Sequence, residues 1–415
     1  MNEKLNKIGK NSKIAQQNEL SSIIKNKVLN DYLKLVKKNK NKIILHNKKD
    51  IVYAKKKGVK DNLINRLFLD EKKIDSILKS IKMIIKLPDP VNMTLDKWKR
   101  PNGLNIRKVT IPIGVIGVIY ESRPNVTSDV SALCFKSGNS VILRGGSEAI
   151  NSNKILTNLF RLALAKNNVN KDYVQFIDSK DREVVDYMLS KMSGFIDIII
   201  PRGGKNLVRK VQKISKIPVI GHLEGICHTY VDRDANIDMA IKISLNAKLR
   251  NTSICGATET LLIHKKKSNY VNLILSKLKN NGCEIIADKK IKKLFLGSSK
   301  LANKETWSIE HLSNKISVKL VNNIDEAINH INIFGTMHTD SIITKNKKSA
   351  KYFLRKVKSS IAIHNSSTQF ADGGEFGFGG EVGISTNKLP PRGPVGLNQL
   401  VSYKYEIYGS GQIRK

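Results

Sequence analysis

Hydrophobic residues in the first part of the chain recur at helical spacing, which predicts helices over residues 14–87. In the last of these helices Asp70 is the predicted N-cap, and Pro88 follows the C-terminal end. The apolar face between them is formed by Ile74, Ile77, Leu78, Ile81, Ile84 and Ile85. The next segment, up to residue 112, is irregular and contains a PNG turn at 101–103. It is either a plain connector or a ribbon that adds to the sheet of a neighbouring subunit.

From residue 113 the pattern changes to short apolar strands that alternate with helical stretches. The predicted strands are GVIGVIY, SVILR, YVQFID, FIDIIIP and IPVIGH. Strands separated in this way by helices form a parallel sheet that helices cover on both faces, so the predicted fold class is α/β. After residue 226 a second αβ unit begins, and it continues to SIAIHNSS. The glycine-rich stretch 372–383 is either a flexible linker or a loop folded back through Phe376 and Phe378.

Two predicted strand ends carry an arginine directly before a pair of glycines, namely LRGGSE at 143–148 and PRGGK at 201–205. Ligands of parallel sheets bind beyond the carboxyl ends of the strands. Arginine followed by glycines suits the close approach of an anion to backbone N–H groups at a helix start. The glycines of either loop alone could be turn residues, but the two loops together favour a phosphate-rich ligand. The dinucleotide fingerprint GxGxxG is absent.

The stretch NTSICGATET, residues 251–260, places one cysteine between a predicted helix and the predicted strand TLLIH. Reactive groups are commonly displayed on such loops, whereas a cysteine that only fills the core more often lies inside an element. Cys255 is therefore either a functional thiol or a packed side chain. The four cysteines, at 134, 227, 255 and 283, form no CxxC pair and no metal-ligand spacing with histidine. We expect free thiols in a reducing compartment and no metal site.

The 415-residue chain has 73 Lys and Arg against 35 Asp and Glu, a formal net charge of +38. Nucleic-acid-binding proteins show such an excess, but here the lysines are spread along the chain without a basic stripe or interleaved aromatics. No nucleic-acid partner is predicted, although the charge favours encounters with anionic ligands. The longest apolar run, residues 111–120, is too short to span a bilayer, and no secretory signal is recognised. We expect a soluble cytoplasmic protein without a membrane partner.

Several motifs occur in an order that resembles the aldehyde dehydrogenase superfamily: PIGVIGVIYESRPNV, NSVILRGGSEA, PRGGK, GHLEGICHTYVD and the cysteine loop before ETLLIH. The segments HTDSII, NSSTQFADGGEFGFGGEVGIST and RGPVGL are similar to the glutamate-5-semialdehyde dehydrogenases, also called gamma-glutamyl phosphate reductases. The resemblance runs from about residue 15 to the end. It implies a Rossmann-type cofactor domain (1–95 and 112–225), an α/β catalytic domain (226–385) and a small β flap for oligomerisation (96–111 and 386–415).

The resemblance implies that the chain reduces L-glutamyl 5-phosphate with NADPH to L-glutamate 5-semialdehyde and phosphate, the second step of proline biosynthesis. Cys255 matches the catalytic nucleophile, which forms a thioester as phosphate leaves. Asn125 in SRPN matches the side-chain donor to the oxyanion, with the Cys255 backbone N–H as the second donor. Asn125 could instead cap the following helix, although Thr127 or Ser128 could cap it equally well.

The same resemblance assigns cofactor binding to Arg144, Ser147, Gly203, Gly204 and Glu310. Arg144 is the candidate partner of the ribose or its 2′-phosphate. Arg123 and Arg392 are candidates for the substrate carboxylate and phosphate, because guanidinium groups bind both bidentately. His338 is a candidate for lining the site. A purely structural role is the alternative for Arg123, Arg392 and His338.

One position departs from the hydrolytic aldehyde dehydrogenases, which carry a glutamate general base where His222 falls in this chain. An enzyme that exchanges its acyl group with phosphate is expected to lack that base, because water would otherwise hydrolyse the thioester. Glu224 lies two positions further on and could be a structural carboxylate or a shifted base. A hydrolytic aldehyde dehydrogenase of the same fold is therefore the alternative function. The superfamily also implies a homo-oligomer, and a labile acyl phosphate makes association with glutamate 5-kinase attractive.

Overall fold

The computed structural model describes residues 2–59 and 61–414, and its chain divides into two compact units. Unit 1 comprises Met1–Gly221, Gly377–Gly383 and Val395–Lys415, and unit 2 comprises His222–Phe376 and Ile384–Pro394. Gly377–Gly383 of the glycine-rich stretch belong to unit 1, and Val382 is buried in its core, which does not suit a free linker. The boundaries of a cofactor-binding and a catalytic domain stay a prediction.

Helices form the start of unit 1: α1 (Asn2–Gln16), α2 (Ser22–Lys38), α3 (Lys40–Lys56), α4 (Asp61–Leu67) and α5 (Glu71–Lys86). The predicted cap of α5 is confirmed, because the Asp70 carboxylate accepts a hydrogen bond of 2.8 Å from the Lys73 backbone N–H. The predicted apolar face is also buried, from Ile74 to Ile84. Helix α1 begins twelve positions before the predicted helical region starts at residue 14, since it spans Asn2–Gln16.

A parallel sheet lies at the centre of unit 1. Its strands are β3 (Val115–Tyr120), β4 (Ser140–Gly145), β5 (Val174–Phe176) and β6 (Ile198–Arg202), in the order β5-β4-β3-β6. The connecting helices are α6 (Pro124–Lys136), α7 (Ile150–Lys166), α8 (Glu183–Lys191) and α9 (Lys205–Ile214). Every residue of β3 and β4 is buried, as expected for a sheet covered on both faces.

The predicted fifth strand, IPVIGH, is wrong. Its residues form only an isolated parallel bridge between Ile199 and Val219. Pro218 accepts a hydrogen bond from the Ile199 N–H but has no N–H of its own to donate, so the ladder does not extend.

A three-stranded antiparallel sheet also belongs to unit 1. It consists of β1 (Thr94–Lys99), β2 (Asn105–Pro112) and β16 (Val401–Tyr408), in the order β1-β2-β16. The PNG turn joins β1 to β2, so the interpretation of residues 88–112 as a plain connector is wrong. Tyr403, Tyr405 and Ile407 of β16 are exposed on this ribbon. Its use in oligomerisation stays a prediction.

Unit 2 is built on a second parallel sheet, with the order β10-β9-β11-β8-β7-β12-β13. The strands are β7 (Cys227–Val231), β8 (Thr258–His264), β9 (Glu284–Ala287), β10 (Lys300–Leu301), β11 (Lys315–Val321), β12 (Thr339–Ile343) and β13 (Ile361–His364). The helices are α10 (Ile237–Leu249), α11 (Val271–Asn280), α12 (Lys289–Leu294), α13 (Ile324–Phe334) and α14 (Lys347–Lys356). Two further short strands, β14 (Ile384–Ser385) and β15 (Gly393–Pro394), pair antiparallel. Among the residues that the structure describes, no helix has the length and apolarity needed to cross a bilayer.

Candidate active site

Cys255 lies in the loop between α10 and β8, as the sequence predicts. Its side chain is free and partly exposed, whereas Cys134, Cys227 and Cys283 are free but buried. Burial raises the pKa of each of those three thiols. Cys255 is therefore the cysteine that a solution reagent or substrate can reach, and the interpretation of it as a packed core residue is not favoured.

The backbone of Cys255 is packed tightly against the residues that lead into β7. A Cβ built on Gly225 would lie 2.2 Å from the Cys255 carbonyl oxygen and 2.7 Å from its Cα, so only glycine fits at this position. Two residues later, the Cys227 thiol donates to the same carbonyl oxygen over 3.1 Å. The loop that carries the thiol is thus held from its backbone side by two residues of the GIC sequence.

Two imidazoles approach the Cys255 sulfur. The Cys255 Sγ and one ring nitrogen each of His222 and His338 all lie within 4.8 Å of one another. The two rings are perpendicular, with centroids 4.9 Å apart. Nδ1 of His222 lies 2.8 Å from the Ile384 carbonyl oxygen. Because a carbonyl oxygen only accepts, Nδ1 carries the hydrogen, and a neutral His222 ring has its lone pair on Nε2.

His338 is fully buried directly before β12. Its Nδ1 lies 2.9 Å from the Thr339 hydroxyl oxygen and 3.5 Å from the Cys227 sulfur. Its Nε2 is buried and makes no hydrogen bond to the described residues. A buried nitrogen without a partner is rare and points to a role that a ligand or a reacting group completes. The sequence-based suggestion that His338 lines a site agrees with this placement.

Opposing influences act on the pKa of the Cys255 thiol. Burial raises it, but the neighbouring imidazoles of His338 and His222 together lower it by more. The net effect holds the pKa well below the ordinary thiol value. The pair of histidines thus favours the thiolate, which is the nucleophilic form of cysteine.

The lowered pKa makes a prediction for alkylation. The rate of Cys255 alkylation by iodoacetamide is expected to stay at its plateau well below the ordinary thiol pKa of about 8.5 and to fall only at lower pH. In His338→Asn the inflection is expected to move to higher pH, because one of the two imidazoles that lower the thiol pKa is lost. The measurement is the pH profile of modification, with the labelled peptide identified by mass spectrometry.

The control for this profile is His364→Asn, which removes an exposed histidine whose Nε2 lies 2.9 Å from the Thr344 carbonyl oxygen. Its profile is expected to match that of the unmodified chain. An inflection near 8.5 in the unmodified chain, or one that His338→Asn leaves in place, would contradict the stabilisation of the thiolate.

Glu310 is connected to the same cluster through Gly225. The Gly225 N–H donates to the Glu310 carboxylate over 2.8 Å. Burial raises the pKa of Glu310, and the nearby charge of Cys255 raises it further, while the bond from Gly225 opposes both. Among the predicted site residues, Cys255, His338 and Glu310 therefore lie together in unit 2. His222, which lies where the hydrolytic aldehyde dehydrogenases carry a glutamate, completes the group.

The predicted cofactor residues of unit 1 lie at strand ends, as expected. The buried Arg144 is the second-last residue of β4 and donates to the carbonyls of Gly145 at 2.9 Å and Asp181 at 3.1 Å. Ser147 begins a short 3₁₀-helix, separated by one residue from the end of β4. Gly203 and Gly204 lie between β6 and α9, and the Gly204 N–H donates to Glu121 over 2.8 Å.

Asn125 is the second residue of α6. Arg123 occupies the N-cap position of this helix, but its side chain makes no capping hydrogen bond. Because α6 begins at Pro124, the alternatives in which Asn125, Thr127 or Ser128 caps the helix are wrong. The exposed Asn125 amide donates to the Asp129 carboxylate over 3.3 Å. Burial raises the pKa of Asp129 to about 6. In unit 2, the exposed Arg392 donates to the Lys358 carbonyl over 2.6 Å.

Three comparisons with known proteins agree with this geometry. The model of the Aldehyde dehydrogenase family matches residues 65–298. A gamma-glutamyl phosphate reductase of Brucella suis biovar 1 is 46% identical over 391 residues, covering 94% of this chain and 93% of the relative. That of Nautilia profundicola is 45% identical over 416 residues and covers 100% of both chains. The crystal structure of the Thermotoga maritima gamma-glutamyl phosphate reductase superposes with a TM-score of 0.96 at 37% identity, covering 99% of this chain and 100% of that one.

An α/β scaffold with two parallel sheets defines an enzyme of the aldehyde dehydrogenase type. The chain belongs to the aldehyde dehydrogenase family, in its gamma-glutamyl phosphate reductase branch. The fold class and the family resemblance predicted from the sequence are confirmed.

Proposed function

We propose that the chain catalyses the NADPH-dependent reduction of L-glutamyl 5-phosphate to L-glutamate 5-semialdehyde and phosphate, with Cys255 as the nucleophile. The observation that carries the proposal is the loop position of the half-buried Cys255, whose sulfur lies within 4.8 Å of a ring nitrogen of both His222 and His338. The relatives that match over the full chain carry the name of this activity. The reaction is the second step of proline biosynthesis.

The first chemical step uses the Cys255 thiolate. Its Sγ attacks the acyl carbon of the substrate, an S–C bond forms, and the C–O bond to phosphate breaks, which leaves a thioester. Two features support this step: the two imidazoles hold the pKa of the thiol well below its ordinary value, and the tight contact of Gly225 with the Cys255 backbone holds the loop that carries the sulfur. Phosphate leaves as a weakly basic anion and needs no proton from the chain.

The oxyanion of each tetrahedral intermediate needs preorganised donors, which are worth about 3–4 kcal/mol each. We assign this role to the Asn125 side-chain amide and the Cys255 backbone N–H. The position of Asn125 in the first turn of α6 supports the assignment, because the helix N-terminus adds a favourable field for an anion. When the aldehyde departs, the imidazoles of His222 and His338 stabilise the returning thiolate.

A nicotinamide dinucleotide fits the residues at the strand ends of unit 1. Nε of Arg144 is buried without a hydrogen-bond partner among the described residues, and an anionic oxygen would satisfy it. We assign cofactor binding to Arg144, Ser147, Gly203, Gly204 and Glu310, with Arg144 as the basis for NADPH over NADH. NADPH, when bound, supplies the hydride that reduces the thioester.

The substrate carries a carboxylate and a phosphate, and the chain carries a formal charge of +38. This excess raises the encounter rate with such a dianionic ligand. We assign binding of the two anionic groups to Arg123 and Arg392, because a guanidinium group binds carboxylate and phosphate bidentately. His338 acts on the reaction through its effect on the Cys255 thiol, so it is a positioning residue for Cys255.

Phosphate dependence tests the proposal. With L-glutamate 5-semialdehyde and NADP⁺, the reverse reaction is expected to produce NADPH only when phosphate or arsenate is present, because the thioester must be passed to that acceptor. The absorbance of NADPH measures the rate. NADPH formation at a rate that is independent of phosphate would support the hydrolytic aldehyde dehydrogenase instead, with water as the acceptor.

We place the reaction in the cytoplasm, since a thiol with a lowered pKa needs a reducing compartment to remain active. A homo-oligomer that uses the β1-β2-β16 ribbon is the proposed assembly. Association with glutamate 5-kinase stays a prediction that is motivated only by the lability of the acyl phosphate.

A further inference from the structure

We propose that His222, Cys255 and His338 form a three-ligand site for a soft divalent cation of the Zn²⁺ type, and that occupancy of this site blocks the reactive thiol. The metal site rests on the arrangement of the three side chains alone. The consequence for turnover rests on the proposed function, in which Cys255 is the nucleophile.

The geometry of the three donor atoms fits one ion. The Cys255 sulfur and a nitrogen of each ring lie within 4.8 Å of one another. Bond lengths of Zn²⁺ to nitrogen and sulfur place tetrahedral donors about 3.4–3.6 Å apart. Side-chain movements of about 1 Å would bring the three atoms to these separations.

The outer hydrogen bonds of the histidines also suit metal binding. A metal-binding histidine usually donates its other ring N–H to a carbonyl, carboxylate or similar acceptor, which fixes the tautomer. Nδ1 of His222 donates to the Ile384 carbonyl at 2.8 Å, and Nδ1 of His338 lies 2.9 Å from the Thr339 hydroxyl oxygen. Nε2 of His338 is buried without a partner among the described residues, so a metal ion that accepts its lone pair would satisfy it. This unpartnered nitrogen is an observation independent of the cluster.

The donor set selects the kind of ion. One thiolate and two imidazoles are the ligands that Zn²⁺, Co²⁺ and Cu⁺ prefer, whereas Mg²⁺ and Ca²⁺ prefer oxygen. Three protein ligands leave a fourth tetrahedral position open, which a water or an anion can take. The sulfur that binds the ion gives up the lone pair that attack on an acyl carbon requires. The concentration of free Zn²⁺ would therefore control how much of the enzyme is active.

The test uses the untagged full-length chain, titrated with CoCl₂ under anaerobic conditions. We expect one Co²⁺ per chain, intense visible bands typical of tetrahedral coordination and a thiolate-to-cobalt charge-transfer band in the near ultraviolet. Cys255→Ser is expected to remove the charge-transfer band. In competition against a metal chelator, His338→Asn and Cys255→Ser are each expected to weaken Zn²⁺ binding by about 100-fold or more, because loss of outer partners alone weakens it 10–100-fold.

Matched controls are Cys283→Ser and His364→Asn, which change a buried cysteine and an exposed histidine outside the cluster. Both are expected to keep the spectrum and the affinity. Circular dichroism shows whether each variant is folded, and His222→Gln provides a second test of a nitrogen ligand. A charge-transfer band that survives in Cys255→Ser, or a Zn²⁺ affinity that neither histidine variant lowers, would overturn the metal site.

The metal site and the proposed function have separate outcomes. A chain that reduces the acyl phosphate but shows no thiolate–cobalt band would overturn the metal site and leave the proposed function standing. A chain with the full cobalt spectrum but no reductase activity would support the metal site and overturn the proposed function. When both hold, stoichiometric Zn²⁺ is expected to lower the reductase rate at least tenfold, a loss that corresponds to about 1.4 kcal/mol, and chelator restores it.

Discussion

Replacing Cys255 with alanine is expected to lower kcat for reduction of L-glutamyl 5-phosphate by at least about 10⁴-fold, because the variant cannot form the thioester. Direct hydride transfer to the acyl phosphate has neither the bound intermediate nor the fixed geometry that the thiolate provides. The fold is expected to remain intact, since the side chain lies in a loop and is partly exposed. NADPH consumption and the thermal unfolding midpoint measure the two effects. Mass spectrometry of acid-quenched enzyme should detect the acyl adduct on the unmodified chain only.

The matched control is Cys283→Ala, which removes a buried thiol from the core of the same unit. This variant is expected to lose a little stability and to keep full turnover. If Cys255→Ala retained turnover within tenfold of the unmodified chain, the thioester mechanism would be wrong. Cys255→Ser should be nearly as inactive, because a hydroxyl is not ionised by the two imidazoles.

Local patterns were sufficient to predict those parts of the fold that neighbouring residues determine. Helix α5 shows this well, because its cap, its buried face and its end are all encoded within Asp70–Pro88. The start of α1 was missed for a tertiary reason. Gly9 lies inside α1 and lowers its helix propensity, but a Cβ there would lie 2.6 Å from the Phe195 ring, so the helix is stabilised by a contact that is distant in sequence.

The fifth strand of unit 1 was predicted from hydrophobicity alone. Pro218 in that segment argues against an interior strand, because such a strand needs a backbone N–H to donate at each alternate residue. The helix that was expected to follow Asn125 is present as α6, but it begins earlier, at Pro124. Proline is favoured at the first position of a helix, and that preference would have corrected the boundary.

The candidate site was predictable only in part. The loop position of Cys255 follows from the helix before it and the strand after it. The proximity of His222, Cys255 and His338 does not follow from their spacing in the sequence. The three residues precede β7, β8 and β12, and these strands become neighbours only in the folded parallel sheet. The role of Gly225 is likewise invisible until the backbone of Cys255 is seen against it. Ligand spacing rules therefore predicted no metal site, although the folded chain brings three metal-ligating side chains together.

A buried ion pair joins the two elements that hold the Cys255 loop. Lys248 lies at the end of α10 and Glu259 near the start of β8, and their Nζ and Oε2 atoms are 2.5 Å apart with both side chains 0% exposed. The second carboxylate oxygen of Glu259 accepts from the Leu312 N–H at 3.2 Å. Burial raises the pKa of Glu259 to about 7, and the charge of Lys248 opposes this rise. The ion pair therefore links the two ends of the loop that carries Cys255.

Replacing Lys248 with methionine is expected to lower the free energy of unfolding by about 3–5 kcal/mol, because Glu259 is left buried without its cation. The folded-state pKa of Glu259 then lies even further above its unfolded value of 4.5. The folded state therefore holds the proton of the Glu259 carboxyl more tightly than the unfolded state does. As a result, the stability of the variant is expected to fall as pH rises from about 4.5 to the folded-state pKa of Glu259. Urea unfolding of unmodified and variant chains at pH 6 and pH 8 measures both effects, and turnover is expected to fall with the loss of loop order.

Two further variants decide whether the loss comes from an unpaired buried charge. Lys248→Met combined with Glu259→Leu is expected to recover most of the stability, because an apolar pair of similar volume needs no charge compensation. Lys154→Met breaks the pair of Lys154 with Asp178, which is also 2.5 Å long but 55% and 39% exposed, and is expected to change stability by less than about 1 kcal/mol. Equal effects of the two lysine substitutions, or no recovery in the double variant, would show that Lys248 does not stabilise the loop through Glu259.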